Sequence, residues 1–432
     1  MPRAPRPYLC RPATGTDDYQ HRTALRGTAS AQYSELSSAD VGKRAPMRIT
    51  HLAARNWRNF KTVELSVGDR LFVVGPNAAG KSNLLDLFRF LSDLTPTGGG
   101  LSSAIERRGG LSKARSLFAR NNAKGRLVVE VTLRDAESVW RYRLSVRGEG
   151  RGLNRPVVDE ELVEKDGTEI LKRPDKQDQA DPERLTQTHL EQISANHAFR
   201  DIATFFSRVQ YFHLVPQIIR NPARADLGPN DPYGSSLIAH MNATPAKTRN
   251  AWLRRMQQAL QAAVPGFESL TIETDASGLP HLIAGYKNWR SSPSRQDEAD
   301  FSDGTLRLIG LLWSIVKAPA SPGVLLLEEP ELSLNSAVVR ELPSVLAQVQ
   351  RSSDQQIILS THSPELLNDE GIHPDEILVL RVTEDGSKAE LLSSIPDAVT
   401  DLGLGLSTSD VVDGLIAPGD LTGMLKAARS KR

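Results

Sequence analysis

One cysteine, Cys10, stands in a chain of 432 residues. That excludes an intrachain disulfide and suits a reducing cytoplasm. No apolar run approaches the length of a membrane span: the longest, 308–316 and 324–327, are far too short. The amino terminus lacks the apolar core of a secretory signal. Neither sign of charge dominates. With 53 Lys and Arg against 52 Asp and Glu, the net charge is +1, so no global basic field announces nucleic acid, and any such contact must be a local patch. Internal repeats and sustained heptads are missing as well, which excludes a long coiled-coil arm. The remaining composition, 39% hydrophobic and 24% charged, is that of an ordinary globular chain, long enough for two or three cores or one large α/β domain with insertions.

What is present centres on residues 71–83, LFVVGPNAAGKSN. A short apolar strand, a glycine turn and an amphipathic helix (Leu84, Leu85, Phe88, Leu91) follow one another. Gly75, Gly80, Lys81 and Ser82 fit the phosphate-loop spacing G-x-x-x-x-G-K-[ST]. The glycines let the backbone turn its N–H groups inward around phosphate oxygens, and the helix dipole adds to the attraction. Gly75, Pro76, Asn77, Ala78, Ala79, Gly80, Lys81, Ser82 and Asn83 are therefore the candidate nucleotide-binding residues. Lys81 is expected to neutralise the β- and γ-phosphates, and the Ser82 hydroxyl to ligate Mg²⁺.

Two later strand tips complete the expected site. Residues 324–327 form a wholly apolar strand ending in Glu328-Glu329-Pro330-Glu331. Acids at the carboxyl end of a buried parallel strand sit where open α/β sheets bind ligands. Glu328 is expected to hold Mg²⁺, and Glu329 to orient or deprotonate the attacking water. A second apolar strand, 356–360, ends in Thr361-His362-Ser363-Pro364, placing His362 to donate to the γ-phosphate. Phe301-Ser302-Asp303-Gly304-Thr305 opens a helix over 306–317, and Ser302 with Gly304 reads as an anion-binding cap.

Elsewhere, residues 1–46 read as a disordered extension. Strands are expected at 48–54, 63–67, 70–74, 127–133, 140–146, 160–164, 168–171, 270–274 and 282–286. Helices are expected at 81–94, 185–206 and 247–262, with loop at 172–183 and a mostly apolar piece at 211–222. A basic segment, Arg107, Arg108, Lys113, Arg115, Arg120, Lys124 and Arg126, is the candidate DNA contact. After His362 only a short tail is expected, too little for a second catalytic domain.

Taken together, these motifs resemble the ABC-type ATPase heads of the RecF/SMC class, and most closely the compact bacterial predicted ATPases of the AAA_21 group. Asn56-Trp57-Arg58-Asn59-Phe60-Lys61 resembles the N-F-R-S-F segment of that class, GPNAAGKSN its GPNGSGKSN loop, FSDGT its signature motif, LLLEEPELSLN its Walker B and D-loop, and LSTHSPELL its switch histidine. The resemblance implies an α/β P-loop NTPase fold, with a mixed sheet, an antiparallel β lobe and an inserted helical lobe. It implies one ATPase domain over 47–432, with the inserted lobe at about 150–265 and the signature and Walker B lobe at about 266–432. It also implies ATP and Mg²⁺ as cofactors, Arg58 as a further phosphate contact, and a head-to-tail homodimer in which Ser302 and Gly304 of one subunit seal the nucleotide of the other. Three departures stand out. Glu328 replaces the usual Asp. No Gln lies between Lys81 and Asp175, leaving Gln210 or Gln217 as substitutes for the Q-loop residue. Asn335 replaces a frequent His.

The class carries two roles that fit: a genome-maintenance ATPase acting on DNA, and a regulatory ATPase of a phage-defence or toxin-like system that controls a separately encoded effector. The missing Q-loop glutamine and the SDGT signature disfavour a transporter ATPase. No membrane partner is expected, and the expected location is cytoplasmic.

Overall fold

The computed structural model describes residues 46–116, 125–150, 155–220, 232–289, 292–317 and 323–417. The expected extension lies outside them up to residue 45, as do Arg120 and Lys124. The chain opens with an antiparallel pair, β1 (Arg48–Trp57) and β2 (Phe60–Ser66), and crosses to β3 (Arg70–Val74) in a second sheet. Helices Lys81–Asp93, Gly100–Glu106 and Leu111–Ala114 lead back to β4 (Leu127–Arg134), β5 (Val139–Gly148), β6 (Pro156–Lys165) and β7 (Thr168–Arg173). These complete a six-stranded antiparallel sheet in the order β2-β1-β4-β5-β6-β7. Then come β8 (Gln210–Phe212) and a three-stranded sheet of β9 (Phe267–Thr274), β10 (Pro280–Tyr286) and β11 (Ser294–Gln296). The last strands are β12 (Val324–Glu328), β13 (Gln356–Ser360), β14 (Ile377–Thr383) and β15 (Gly386–Leu391). They close a mixed sheet in the order β15-β14-β3-β13-β12-β8, parallel except for β15.

Residue type explains the layering. β12 and β13 are buried at every position, as their unbroken apolar runs require of central parallel strands. Successive side chains alternate faces. Leu71, Val73, Val324, Leu326 and Ile358 pack on one side with helix Lys81–Asp93 and the antiparallel sheet. Phe72, Val74, Leu325, Leu327, Ile357 and Leu359 pack on the other with helix Ser336–Ser353, through Val339, Leu342 and Leu346. A third core joins helices Ala246–Ala263 and Asp303–Lys317 to the three-stranded sheet. Register brings the strand tips level: Ser360 lies opposite both Glu328 and Val73.

The two large sheets are fastened at both ends of β1. The Gln356 side chain donates to the carbonyls of Ile49 (2.7 Å) and Gly68 (2.7 Å) and accepts from Ile49 N–H at 3.1 Å. Just past the other end, Ser387 N–H on β15 donates to the Asn59 carbonyl at 2.9 Å.

Several expectations need correction. Residues 185–206 are not one helix: only Arg200–Phe206 is α-helical, preceded by 3₁₀ turns at Pro182–Thr186 and His197–Phe199. Buried side chains capture the backbone there. Glu161 accepts from the N–H groups of His189 (2.7 Å) and Leu190 (3.1 Å), and Asn196 donates to the Leu190 carbonyl at 2.9 Å. The stretch 172–183 is not loop: it holds the end of β7 and helix Lys176–Ala180, capped by Asp175. Arg173 is fully buried between Glu161 and Asp178, at 3.1 and 2.8 Å. The region after His362 is no mere tail, since β14 pairs directly with the phosphate-loop strand β3. The stretch 150–265 holds β6 and β7 of one sheet and β8 of the other alongside its helices.

Candidate nucleotide site

The site is built on the carboxyl ends of β3, β12 and β13. After β3 the loop turns through Ala78 (φ +64) and Gly80 (φ +101) into helix Lys81–Asp93. A Cβ on Gly80 would run into the Asn59 side chain, so the turn requires glycine. Ala78, left-handed without being glycine, carries a strain of about 1 kcal/mol. Ala79 N–H donates to the Pro76 carbonyl at 3.2 Å, tightening the loop.

Asn59 clamps this loop from outside. Its amide donates to the Ala79 carbonyl (3.0 Å) and Ser387 Oγ (2.6 Å), and its oxygen accepts from Asn83 Nδ2 at 2.9 Å. Trp57 Nε1 adds a bond to the Asn83 carbonyl at 2.8 Å. Lys81 is buried, with Nζ donating to the carbonyls of Gly75 (3.0 Å) and Pro76 (3.3 Å). Burial pushes its pKa down, against the opposing pull of Glu329, Glu328 and Glu331.

Glu328, also buried, receives Ser82 Oγ on Oε1 and the Tyr211 hydroxyl on Oε2. Burial raises its pKa, Ser82 opposes the rise and Glu329 adds to it. Glu329 has left-handed backbone (φ +44), and its N–H is held by the Ser360 carbonyl at 3.1 Å. Its Oε1 lies 3.3 Å from His362 Nε2. Burial and Lys81 lower the His362 pKa, while Glu329 works the other way. Glu331 fixes the β13 tip by accepting from Thr361 Oγ1 (2.7 Å) and His362 N–H (3.0 Å), and burial raises its pKa.

The structure thus brings Lys81, Ser82, Glu328, Glu329 and His362 together. It does not bring Ser302 and Gly304 to the same loop. Ser302 Oγ caps its own helix, accepting from Thr305 N–H at 3.1 Å. Gly304 packs so tightly that a Cβ would strike the Ser333 carbonyl on the loop following the acids. Arg58, expected on phosphate, lines a cleft of about 380 Å³ with Ser82 and Asn83, yet its guanidinium pairs with Asp86 at 3.3 Å. Of the two Q-loop substitutes, Gln217 donates to Asp303 (3.1 Å) and Gln210 lies on the edge strand β8. Asn335 caps helix Ser336–Ser353.

The basic segment divides into buried and exposed charges. Arg108 is buried, held by Asp86 (2.7 Å) and Asp93 (2.9 Å), and lies over the rings of Trp57 and Phe90. Arg107 pairs with Asp93 at 2.8 Å, Arg126 pairs with Asp159 at 2.8 Å, and Arg115 is buried. Arg108 and Arg115 are thus held in the interior, whereas Arg107 and Arg126 are paired at the surface and Lys113 is exposed.

Sequence reasoning missed Asn59, Tyr211, His213, Glu331 and Arg307 as parts of the site. Arg307, on helix Asp303–Lys317, is half-buried; burial lowers its pKa against the pull of Asp303, Glu329 and Glu331. The position of Glu331 within Glu-Glu-Pro-Glu was the available signal for one of them. The place of Asn59 within the 56–61 segment was a signal for another, and the rest announce themselves through pairing across the chain.

The residues present fit a nucleoside triphosphate with a divalent cation. Lys81 Nζ touches carbonyls and, among the described residues, no carboxylate. A hydroxyl and a buried carboxylate face one another beside the loop.

Residues 71–368 match a protein family described as "AAA domain, putative AbiEii toxin, Type IV TA system". No curated protein shows significant similarity. Among solved structures, an SMC head bound to the C-terminal winged-helix domain of ScpA is similar at 18% identity and TM-score 0.49, covering 82% of this chain and 99% of that one. The SMC head domain from Thermotoga maritima is similar at 12% identity and TM-score 0.44, covering 80% and 98%. A Pyrococcus furiosus SMC head bound to the C-terminal domain of ScpA is similar at 15% identity and TM-score 0.48, covering 83% and 99%. No helix among the described residues is long and apolar enough to cross a membrane.

Proposed function

This chain belongs to that AAA-domain family, and we propose that it is a Mg²⁺-dependent ATPase that works as a nucleotide-closed, head-to-tail homodimer. The observation that carries the reading is the convergence of Lys81, the Ser82–Glu328 pair and the Glu329–His362 pair at three adjacent strand tips.

The loop N–H groups and Lys81 would grip the phosphates, and Ser82 with Glu328 would hold Mg²⁺. Bound Mg²⁺ would supply charge neutralisation across the β- and γ-phosphates. Glu329 would orient water and accept its proton, while His362 would donate to the γ-phosphate. Ser302 and Gly304, which open helix Asp303–Lys317, would cap the nucleotide of a second copy. Cleavage would remove the bridge between copies and open the pair.

As for role, we favour regulation of a separately encoded effector in a toxin-antitoxin-like or defence system over genome maintenance. Two observations support this: the description of the matched family, and the burial of Arg108 between Asp86 and Asp93, which withdraws it from any DNA-facing patch. The ATPase domain would extend over 47–432, its inserted lobe at about 150–265.

Two measurements test the proposal. Phosphate release should be abolished in Lys81→Ala. Glu329→Gln with ATP should double in mass in solution, and Lys81→Ala or Ser302→Arg should undo the doubling. Hydrolysis unaffected by Lys81→Ala, or a Glu329→Gln monomer at every ATP concentration, would overturn it. An adjacent toxin or nuclease frame whose product co-purifies with Glu329→Gln in ATP supports the regulatory role. ATPase stimulation by DNA that fades with salt would move the role to genome maintenance.

A further inference from the structure

The replacement of an aspartate by Glu328 raises a question of reach. A glutamate has one more rotatable bond, so its carboxylate must be held if it is to stay beside Ser82. Strand β8 supplies the holder. It pairs in parallel with β12, Tyr211 opposite Leu326. Leu326 stands two residues before Glu328 on the same face, about 6.6 Å along the strand. A tyrosine is long enough to cover that step and ends in a hydroxyl, which donates to Glu328 Oε2. The opposite oxygen, Oε1, faces Ser82. Arg89 lies 5.5 Å from the centre of the Tyr211 ring and holds it from the helix side. His213, two residues along β8's exit, brings Nδ1 to 3.2 Å from Oε2 without the alignment of a hydrogen bond, closing that side of the carboxylate.

We propose that Tyr211 is a positioning residue for the metal carboxylate: it clamps Oε2 of Glu328 so that Oε1 is presented, with Ser82, to the divalent cation. The inference rests on the ATPase reading and deepens it by naming what makes the longer acid competent. On this proposal an aspartate at 328, shorter by a methylene, would not reach Tyr211 and Ser82 together. The Tyr211 hydroxyl therefore matters only when position 328 is glutamate.

The test is binding of methylanthraniloyl-ATP, followed by fluorescence, in EDTA and across a Mg²⁺ titration. Tyr211→Phe keeps the ring beneath Arg89 and removes only the hydroxyl. It should raise the Mg²⁺ concentration for half-maximal enhancement about tenfold, as loss of a carboxylate's supporting hydrogen bond does. Affinity in EDTA should be unchanged, because the phosphate loop is untouched. In a Glu328→Asp background the same substitution should add nothing, a coupling that a merely structural loss would not produce. An unchanged Mg²⁺ requirement in Tyr211→Phe overturns the proposal. So does an equal loss of affinity with and without Mg²⁺, or additivity in the double variant. A wild-type protein that binds the nucleotide with no Mg²⁺ dependence would instead overturn the ATPase reading itself.

Discussion

Removing the clamp on the phosphate loop gives the most direct test of how this site is held. Asn59→Ala deletes three hydrogen bonds, to Ala79, Ser387 and Asn83. At about 1 kcal/mol net each, the gross loss is about 3 kcal/mol. The site is only partly buried, so water restores some of it, and about 2 kcal/mol remains. In a protein of this size that lowers Tm by no more than about 4 °C. The larger consequence falls on binding. The turn through Ala78 and Gly80 is left-handed and strained, and Asn59 helps to hold it. Without that help the nucleotide must order the loop itself, and about 2 kcal/mol converts to a Kd about 30-fold higher. Isothermal titration with ATP, alongside a thermal melt, measures both quantities. Ser387→Ala cuts only the outer anchor and should weaken binding a few-fold. An Asn59→Ala protein that binds ATP within twofold of wild type would refute the reasoning, because the loop would then hold its shape unaided.

Two further outcomes follow from other parts of the molecule. Arg108→Ala should cost about 3–5 kcal/mol in urea unfolding, since it leaves buried Asp93 and Asp86 short of a partner; Arg107→Ala, half-exposed, should cost about 1 kcal/mol, and equal costs would contradict the buried assignment. His281 donates toward buried Glu298 at 2.7 Å, which raises its pKa. The stabilisation is therefore full below the ordinary histidine pKa and is lost as pH climbs through the raised one; a His281→Gln protein should lack that loss in melts from pH 6 to 8, and an imidazole titrating below 6.5 by NMR would reverse the sign.

The parts of the site that were legible in the sequence are those where burial on both faces forces an unbroken apolar run. Residues 71–74, 324–327 and 356–360 announce three parallel strands, and the polar residues that end each run are the ones that meet. The phosphate loop declares itself by glycine spacing for the same local reason. What stayed hidden depends on partners distant in the chain. Arg173 sits in a charged stretch that reads as solvated, yet Glu161 and Asp178 compensate it in the interior. Arg108 is neutralised by acids 22 and 15 residues away, on the helix after the loop. Tyr211 lies on a three-residue strand, too short for any periodicity. The polar run 185–199 has helical composition, but Glu161 takes two of its backbone donors, and no local pattern records that.

The paired fastening of β1 has a mechanical meaning. Gln356 grips one end of the strand and Ser387 the turn just beyond the other, roughly 30 Å apart. Two pins on a single line resist sliding of the antiparallel sheet over the mixed one, in either direction. A swing about that line strains neither pin. A swing of the antiparallel sheet that reaches Asn59 would arrive at the glycine turn as a tilt.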